Sequence, residues 1–438
     1  MIFKKQKNTN WGSNVITYPK IYTPKNQREI KEIINKNNNF VIQGNKRSFG
    51  DVALNKKKVI SLKNFNKILF FDKKKGEIEV ESGLLLKDLL SFIVPKGWFV
   101  PVTPGTKYVS IGGMVANNVI GKNTSNNQIK YHIKKIKLIT PDKKNIICST
   151  RINKKTFDLT VGGFGLSGFI IAVTLKLKKI YSKNIDQKII EFKNFNEFYK
   201  LSKKNKNYEY SVCWIDNFNK NKIVGLYYLG NTSKNNKHIS SENFIANKIG
   251  VLILIILRII NSNYYFPKIM NFVFRNYKKY FYNRLCHYNE FFYPQDNVPY
   301  WNKIYGRNGF IQVQFLISKR KLEKVLEEIS DFFIANKIFS SFIILKKIKE
   351  KGKYLNFYGS GYSISFDFVI NSKYKILRIF LNKLFKKHKL KVNLTKDLIT
   401  EKNNAYTYKE FKNFKKDLLK IDRLKKINSL FSKRLKFK

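Results

Sequence analysis

The amino-acid sequence predicts an α+β protein with two domains. Residues 1–180 alternate short apolar strands with helices, and glycine-rich loops punctuate them. Residues 309–389 follow the order strand, helix, strand, strand, helix, which favours an antiparallel sheet with its helices on one face. With 438 residues, the chain is long enough for two hydrophobic cores.

The N-terminal elements follow from local signals. The stretch TPKNQREIKEIINKN (23–37) has the apolar period of a helix, with Thr23 expected as the N-cap and Pro24 at the first helical position. The stretch LLLKDLLSFIVPKG (84–97) predicts a helix that stops before Pro95. Strands are predicted at FVIQG (40–44), KVISL (58–62), EIEVESG (77–83) and IKKIKLIT (133–140).

The C-terminal half is predicted to form the second sheet. Its strands are expected at GFIQVQFLI (309–317), SFIILKKI (341–348) and YSISFDFVI (362–370), with helices at 319–337 and 373–389. The apolar run IGVLILIILRII (249–260) is shorter than the roughly 20 residues that a membrane-spanning helix needs. It is either a buried element or an interfacial patch, because aromatic residues mixed with Lys and Arg follow it.

Composition excludes several classes of function. Lys and Arg number 86 against 29 Asp and Glu, a net charge of +57, but the basic residues are spread over the whole chain without a nucleic-acid-binding motif. No nucleic-acid partner is therefore predicted. Three scattered cysteines and four scattered histidines give neither a disulfide framework nor a metal site. The N-terminus lacks an apolar signal region, so a cytoplasmic location is expected.

Three glycine-rich loops predict a site for a diphosphate. They are FVIQGNKRSFGDVALN (40–55), VTPGTKYVSIGGMVANNVIGKN (102–123) and FDLTVGGFGLSGFIIAVTLKL (157–177). Glycines let backbone amides approach a ligand closely, and successive amides in such turns bind anions. Arg47 and Ser48 can add side-chain donors in the first loop. The third loop contains G-x-G-x-x-G but leads into a strand, so a Rossmann fingerprint is rejected.

These loops, in this order, resemble the FAD-binding domain of the vanillyl-alcohol oxidase/p-cresol methylhydroxylase (PCMH) flavoprotein superfamily. The C-terminal stretches EFFYPQDNVPYWNKIYGRNGFIQVQF, YSISFDFVI, VNLTKDLIT and KIDRLKKINSLFSKRLKF are similar to the decaprenylphosphoryl-β-D-ribose 2-oxidase branch. The resemblance implies a PCMH-type FAD-binding domain of two α+β subdomains (1–180). It further implies an α+β substrate domain with an antiparallel sheet (181–392) and a C-terminal segment (393–438) that returns to the FAD domain.

The resemblance also implies the residues of the site. Residues 43–53 would wrap the pyrophosphate of FAD, Asn117 to Ile120 would pass the isoalloxazine, and Ile170 would lie near the adenosine end. The implied cofactor-binding residues are Gly44, Asn45, Lys46, Arg47, Ser48, Phe49, Gly50, Asp51, Gly105, Ser110, Ile111, Gly112, Gly113, Asn117, Asn118, Ile120, Ile170 and Asn393. The implied walls of the substrate pocket are Lys122, Trp214, Phe292, Gln312, Gln314, Lys347 and Ser365. Ordinary packing is the alternative for Trp214 and Phe292, and a solvated strand face is the alternative for the two glutamines.

Lys396, in the motif LTKD, is implied as the catalytic residue. Oxidation of a secondary alcohol passes a hydride to the flavin while the hydroxyl group loses a proton. An ammonium group beside the site can hold the substrate oxygen and stabilise the reduced, anionic flavin, or a desolvated amine can be the base. The sequence leaves both roles open.

Five positions depart from the family pattern. The family's His-Gly-Lys-Asn-His-His is IGKNTSNN here, so Ile120 replaces the first histidine, and Thr124 and Ser125 replace the later pair. Because Ile120 cannot bond to the flavin, non-covalent FAD is expected. Phe49 replaces the commoner tyrosine, and Ser365 replaces a cysteine of mycobacterial members, which removes a target for thiol-directed inhibitors.

The resemblance implies an FAD-dependent oxidoreductase that oxidises the 2-hydroxyl of a polyprenyl-phosphate-linked pentose for cell-envelope polysaccharide synthesis. A short-chain reductase acting on the keto product would complete an epimerisation. Peripheral contact with the inner face of the cell membrane would suit such a lipid-linked sugar phosphate. The alternatives are an aldonolactone oxidase, which commonly carries a His-Trp-Gly-Lys type of motif instead of LTKD, and a degenerate flavoprotein that serves as a scaffold.

Overall fold

The computed structural model describes residues 3–219, 222–239, 266–279, 283–297, 301–340, 342–405 and 410–437. The apolar run 249–260 lies outside these residues. Within them the chain is a mixture of helices and sheets, as the α+β prediction requires.

The first subdomain has a four-stranded sheet, β1-β4-β6-β5. Its strands are β1 (Phe3–Lys5), β4 (Lys20–Tyr22), β5 (Phe40–Gln43) and β6 (Lys58–Ser61), and β2 (Asn8–Thr9) with β3 (Ile16–Thr17) forms a separate hairpin. The pairs β4–β6 and β5–β6 are parallel. The glycine turn that follows β5 therefore starts from the carboxyl end of a parallel strand, where ligand sites commonly form.

The second subdomain has a five-stranded sheet in which every described pair is antiparallel, ordered β11-β10-β12-β8-β7. Its strands are β7 (Ile68–Asp72), β8 (Glu77–Glu81), β10 (Ile133–Ile139), β11 (Asn145–Cys148) and β12 (Phe169–Lys176), while β9 (Trp98–Phe99) pairs with β13 (Lys178–Lys179). The third glycine loop leads directly into β12, so the rejection of a Rossmann fingerprint is confirmed.

The third sheet has eight described strands in the order β17-β14-β16-β15-β19-β20-β18-β21. They are β14 (Asn184–Phe192), β15 (Tyr210–Asn219), β16 (Lys222–Thr232), β17 (Asn283–His287), β18 (Phe310–Ile317), β19 (Ile343–Glu350), β20 (Gly359–Val369) and β21 (Lys391–Val392). Each described pair in this sheet is antiparallel, as the sequence predicted for β18, β19 and β20. The boundaries 1–180, 181–392 and 393–438 stay a prediction.

The helices lie mainly against these sheets. They are α1 (Gln27–Lys36), α2 (Leu86–Ile93), α3 (Ile111–Ala116), α4 (Lys154–Thr160), α5 (Phe195–Lys204), α6 (Phe266–Lys279), α7 (Tyr288–Phe292), α8 (Leu322–Ala335), α9 (Tyr374–His388), α10 (Lys402–Ala405), α11 (Phe411–Ile421) and α12 (Leu430–Arg434). Apolar side chains of α8 and α9, among them Ile329 and Leu381, pack with Phe315 of β18 and Phe366 of β20 in one buried cluster. Burial of this kind is the main stabilising contribution to the fold.

The start of α1 differs from the expectation. The prediction of Thr23 as the N-cap is wrong, since Asn26 caps the helix and its side chain accepts a hydrogen bond of 3.0 Å from the amide of Glu29. The Glu29 carboxylate in turn accepts from the Lys25 amide at 2.9 Å. Asparagine is as good an N-cap as threonine, and this reciprocal pairing favours the later start.

The C-terminal residues pack against the first subdomain. Ile427 forms a parallel bridge with Phe40, the first residue of β5. Phe431 and Phe437 are buried in the cluster that contains Phe40 and Phe164. The chain thus returns to the sheet that carries the first glycine turn.

Among the described residues, no helix has both the length and the apolar character needed to cross a membrane.

Candidate active site

A cavity of about 1440 Å³ lies among the glycine loops, the third sheet and the C-terminal turn. Its volume exceeds the roughly 300–1,000 Å³ of a typical small-molecule site. It can therefore hold two ligands, such as a cofactor and a substrate. Basic side chains outnumber acidic ones along the described wall: Lys46, Arg47, Lys122, Lys278, Lys303, Lys346 and Lys396 against Glu290 and Asp296.

The 44–50 turn lines one end of the cavity. Within the described part of the chain, the backbone amides of residues 45–49 donate no hydrogen bond. Lys46 has a left-handed backbone, with φ of 55°, as in backbone turns that bind anions. The turn therefore offers free donors of the kind that a diphosphate needs.

Aromatic rings hold the guanidinium group of Arg47 in this turn. Its Cζ lies 4.2 Å from the ring centre of Trp11 and 5.4 Å from that of Tyr108. Burial lowers the pKa of Arg47, and the charge of Asp296 opposes this shift. The buried Nε has no hydrogen-bond partner among the described residues, so it is left for a ligand.

Three lysines of the cavity wall form what we term the lysine cluster: Lys122, Lys346 and Lys396. Burial, together with the charges of Lys396 and Lys122, lowers the pKa of Lys346 to about 7. Burial likewise lowers the pKa values of Lys122 and Lys396 to about 8. The Nζ of Lys122 donates to the carbonyl of Phe291, and that of Lys346 to the carbonyl of Gly121 at 3.3 Å.

The turn before Lys396 is fixed to the third sheet. The Asn393 amide donates to the carbonyl of Gln314 at 2.7 Å, and its side-chain Nδ2 donates to Gln314 Oε1 at 2.8 Å. The Lys396 amide donates to the Asn393 carbonyl at 3.1 Å. The Nζ of Lys396 lies 5.5 Å from the ring centre of Phe49, so this lysine lies beside the 44–50 turn.

Most of the residues that the resemblance implied line this cavity. From the cofactor set they are Gly44, Asn45, Lys46, Arg47, Ser48, Phe49, Gly105, Ser110, Gly112, Gly113, Asn117, Asn118, Ile120, Ile170 and Asn393, and from the substrate set Lys122, Trp214, Phe292, Gln312, Gln314 and Ser365, with Lys396. Trp214 and Phe292 are also buried, so packing and lining are compatible at both positions. The role of each residue stays a prediction.

Four implied residues do not line the cavity: Gly50, Asp51, Ile111 and Lys347. Lys347 is exposed because side chains alternate along β19, and Lys346 takes the place expected for it. The side chain of Ile111 lies in the hydrophobic core. Gly50 is required by close packing instead, since a Cβ there would lie 2.4 Å from the Asp397 carbonyl.

Asp51 serves the fold through an ion pair with Arg434, the last residue of α12. Its two carboxylate oxygens accept from Arg434 Nε and Nη2 at 3.1 and 3.0 Å. The same guanidinium donates to Asp397 Oδ2 at 3.1 Å and to the Thr400 carbonyl at 2.7 Å. Burial raises the pKa of Asp51, and Arg434 opposes this shift. Arg434 thus ties the 44–50 turn to the turn that carries Lys396.

The residues present suit FAD. Unpaired buried polar atoms occur at the cavity wall on Gln43, Arg47, Ser82, Asn117 and Gln312, among the described residues. Free amides and cations surround the place of a diphosphate, and the apolar part of the wall beside it comes from Ile42, Val52, Ala53, Phe164 and Ile170. Ile120 packs near Phe357 and offers no atom for a covalent bond to a flavin.

Gly44 gives a direct test of this cradle. A Cβ at this position would lie 2.1 Å from Oγ of Ser110, which caps α3 by accepting from the Gly113 amide at 3.3 Å. We expect Gly44→Ala to raise the dissociation constant of FAD by about tenfold to a hundredfold, since overpacking displaces the loop. Ultrafiltration of the reconstituted protein measures the change.

A double variant removes the Ser110 Oγ with which the new Cβ would clash. In Gly44→Ala/Ser110→Ala the Oγ is absent, so FAD affinity should return to that of Ser110→Ala alone. An unchanged affinity in Gly44→Ala would contradict the close approach of these two loops.

Comparisons with known proteins agree with the geometry. Residues 19–149 match the FAD binding domain family. The chain is 26% identical to decaprenylphosphoryl-beta-D-ribose oxidase of Mycolicibacterium smegmatis (strain ATCC 700084 / mc(2)155) over 354 residues, which is 76% of this chain and 75% of that protein. It is 27% identical to L-gulonolactone oxidase of Scyliorhinus torazame over 41% of this chain and 42% of that protein. It is also 28% identical to D-lactate dehydrogenase of Anaerostipes hadrus, over 34% and 32%.

The matches and the cavity lead to one conclusion. The FAD binding domain match contains the 44–50 turn and the second glycine loop, and the longest of these alignments extends over three quarters of the chain. The chain is therefore an FAD-dependent oxidoreductase that acts on CH–OH groups, an FAD-linked oxidase similar to decaprenylphosphoryl-beta-D-ribose oxidase.

Proposed function

We propose that the protein oxidises the 2-hydroxyl group of a polyprenyl-phosphate-linked pentose. The lysine cluster carries this proposal, because the charges of Lys122 and Lys396 repel the desolvated ammonium group of Lys346 and a bound phosphodiester would relieve that repulsion. The similarity to decaprenylphosphoryl-beta-D-ribose oxidase over most of both chains supports the same class of substrate.

The residues of the chain supply binding and proton transfer. Bound FAD supplies the acceptor for the hydride that leaves the secondary alcohol. Lys396 holds the substrate oxygen as an ammonium group or removes its proton as an amine, and a pKa of about 8 makes both forms accessible near neutral pH. The buried rings of Trp214 and Phe292 exclude water from their part of the cavity wall.

The keto product of this reaction would need a reductase of the short-chain type to complete an epimerisation, as part of cell-envelope polysaccharide synthesis.

A cytoplasmic enzyme at the inner face of the membrane would meet its lipid-linked substrate there. Helix α6 supports this location, since Phe272, Phe274 and Tyr277 are 56%, 40% and 56% exposed. Two of them, Phe274 and Tyr277, also line the cavity.

Affinity for the substrate should fall as the pH rises. A phosphodiester stays a monoanion from pH 6 to 9, whereas lysines with lowered pKa values lose their charge between pH 7 and 8. We expect the dissociation constant of polyprenyl-phosphoryl-ribose to be level below pH 7. Above pH 8 it should rise by about tenfold per pH unit for each lysine that must be charged. Titrations followed by the flavin absorption measure this constant.

Neighbouring lysines provide a matched control. Lys346→Met should weaken binding and remove the inflection near pH 7, whereas Lys347→Met, at the exposed position beside it, should leave the curve unchanged. Equal effects of the two substitutions, or an affinity that increases with pH, would contradict the proposed role of the cluster.

An aldonolactone oxidase is the alternative within the same class of enzyme. The L-gulonolactone oxidases align over about two fifths of the chain, and such a lactone carries no charge for the lysine cluster to bind. Reduction of the flavin by L-gulono-1,4-lactone but not by polyprenyl-phosphoryl-ribose would favour this alternative. A flavin that neither compound reduces would favour a scaffold.

A further inference from the structure

A buried acid lies behind Gln312, a residue of the cavity wall. Asp367 of β20 is 2% exposed and pairs across the sheet with Gln312 of β18. Its Oδ1 accepts from Gln312 Nε2 at 2.6 Å, and its Oδ2 accepts from the hydroxyl group of Tyr305 at 3.1 Å. Its backbone amide donates to Oγ of Ser340 at 3.1 Å. Asp367 does not itself line the cavity, but Gln312 does.

The charge of Asp367 determines which way the Gln312 amide faces. An ionised carboxylate only accepts hydrogen bonds, so the NH₂ group of Gln312 must point toward it. The other end of the amide, Oε1, is buried and has no hydrogen-bond partner among the described residues. A buried acceptor without a donor is costly, so this oxygen is suited to a donor that arrives with a ligand.

Gln314, two residues along the same strand, shows the contrast. Its Nε2 donates to Oγ of Ser363 at 2.7 Å, and its Oε1 accepts from Asn393 Nδ2 at 2.8 Å. Both ends of that amide are used within the protein. Gln312 alone of this pair keeps an acceptor for a ligand.

We propose that Asp367 is a positioning residue that holds the NH₂ group of Gln312, so that the carbonyl oxygen of Gln312 accepts a hydrogen bond from a substrate hydroxyl group. In their charged form the lysines of the cluster only donate hydrogen bonds, and Gln312 adds an acceptor to the same cavity wall. A ligand with an anionic group and a free hydroxyl, such as a phosphorylated sugar, matches this set. The choice of sugar as the probe rests on the proposed function.

The groups around Asp367 set the pH range of this arrangement. Burial raises the pKa of Asp367 to about 6, and the hydrogen bond from Gln312, the charge of Lys396 and the hydrogen bond from Tyr305 oppose the shift. Ser340, before β19, contacts its backbone. Above about pH 6 the carboxylate is ionised and fixes the amide. Below that pH it can also donate, and the orientation is no longer determined.

The orientation can be tested without a substrate. In FAD-loaded protein labelled with ¹⁵N at glutamine side chains, the Gln312 signal is identified by its loss in Gln312→Ala. We expect one of its protons to be shifted downfield at pH 7.5, and the shift to shrink below pH 6 and in Asp367→Asn, because a neutral side chain still accepts but no longer fixes the amide. Asp367→Leu, which has no acceptor, should abolish the shift. The Gln314 signal is the internal control and should not move. A Gln312 signal that is identical in wild type and both variants would overturn the proposal.

The second measurement concerns the hydroxyl group. Two analogues of polyprenyl-phosphoryl-ribose, the 2-deoxy and the 3-deoxy compound, each lack one hydroxyl group. Wild type should bind the parent compound about ten to a hundred times more tightly than the analogue that lacks the hydroxyl group bound by Gln312. In Asp367→Asn this preference should fall below about threefold, with a rise in KM larger than the change in kcat. Equal loss of affinity for the sugar and both analogues would contradict a positioning role. Failure of wild type to bind any of the three would contradict the proposed substrate, while the amide signal would still decide the orientation.

Discussion

Lys396→Ala should bind FAD but, when saturated with substrate, reduce the flavin far more slowly than wild type. Because Lys396 belongs to the lysine cluster, the variant should also bind the substrate more weakly. The side chain lies beside Phe49, and among the described residues its Nζ makes no hydrogen bond that holds the turn, which the Asn393 and Gln314 contacts fix. Loss of proton transfer should lower the rate by about a hundredfold to ten-thousandfold. Anaerobic stopped-flow measurement of flavin reduction by polyprenyl-phosphoryl-ribose gives this rate.

The pH profile separates the two roles of Lys396. If the amine is the base, the wild-type rate of reduction rises with pH through about 8, and small amines restore part of the rate in Lys396→Ala. If the ammonium group holds the substrate oxygen, the rate falls over the same range. Lys347→Ala, at an exposed position, is the control. A rate within threefold of wild type in Lys396→Ala would show that neither role is correct.

Arg434→Met should destabilise the folded protein by about 3–5 kcal/mol, because it leaves two buried carboxylates without their partner. Asp51 and Asp397 are 5% and 1% exposed, and Arg434 makes four charge-assisted contacts with them. The contact ties the 44–50 turn to the turn of Lys396, so FAD affinity should fall as well. Urea denaturation of the FAD-free protein measures the free energy of unfolding.

Two further substitutions test whether the lost ion pair causes this destabilisation. Arg423→Met, at an exposed position outside this network, should change the free energy of unfolding by less than about 0.5 kcal/mol. Arg434→Lys keeps the charge but loses the paired geometry, so it should fall between the two. A similar, small effect of all three substitutions would contradict the role assigned to this ion pair.

The fold could be read from local patterns. Strands β18 to β20 and the helices between and after them lie where alternation and the 3.6-residue period predict them. The cap of α1 was misplaced because Thr23 and Asn26 are both good caps, and local preference does not choose between them. Such choices depend on contacts a few residues away, here those of Glu29.

The site could be predicted only in part. The glycine loops and the LTKD motif indicated the cavity. The prediction of Lys347 as a wall residue was wrong, since Lys346 lines the cavity instead. Two adjacent lysines on a strand face opposite sides, and the pairing of Lys346 with Ser363 and of Ile344 with Ser365 decides which one enters the cavity. That register is set by the whole sheet and is not visible in the stretch itself.

Other contacts had no signal in the sequence. Arg434 and Asp51 are separated by 383 residues, and Trp11 reaches Arg47 from the N-terminal segment. Asp367 stands in an ordinary apolar strand, and its importance follows from the single amide that it holds. Pairs of this kind are created by tertiary packing, so they become visible only in the folded chain.

Anaerobic addition of polyprenyl-phosphoryl-ribose to the purified, FAD-loaded protein tests the central claim most directly. The account predicts that the visible absorption of the oxidised flavin disappears and that a 2-keto sugar is released. A protein that binds no FAD would contradict the assignment of the cavity. A flavin that stays oxidised with this compound, but is reduced by L-gulono-1,4-lactone, would contradict the proposed substrate.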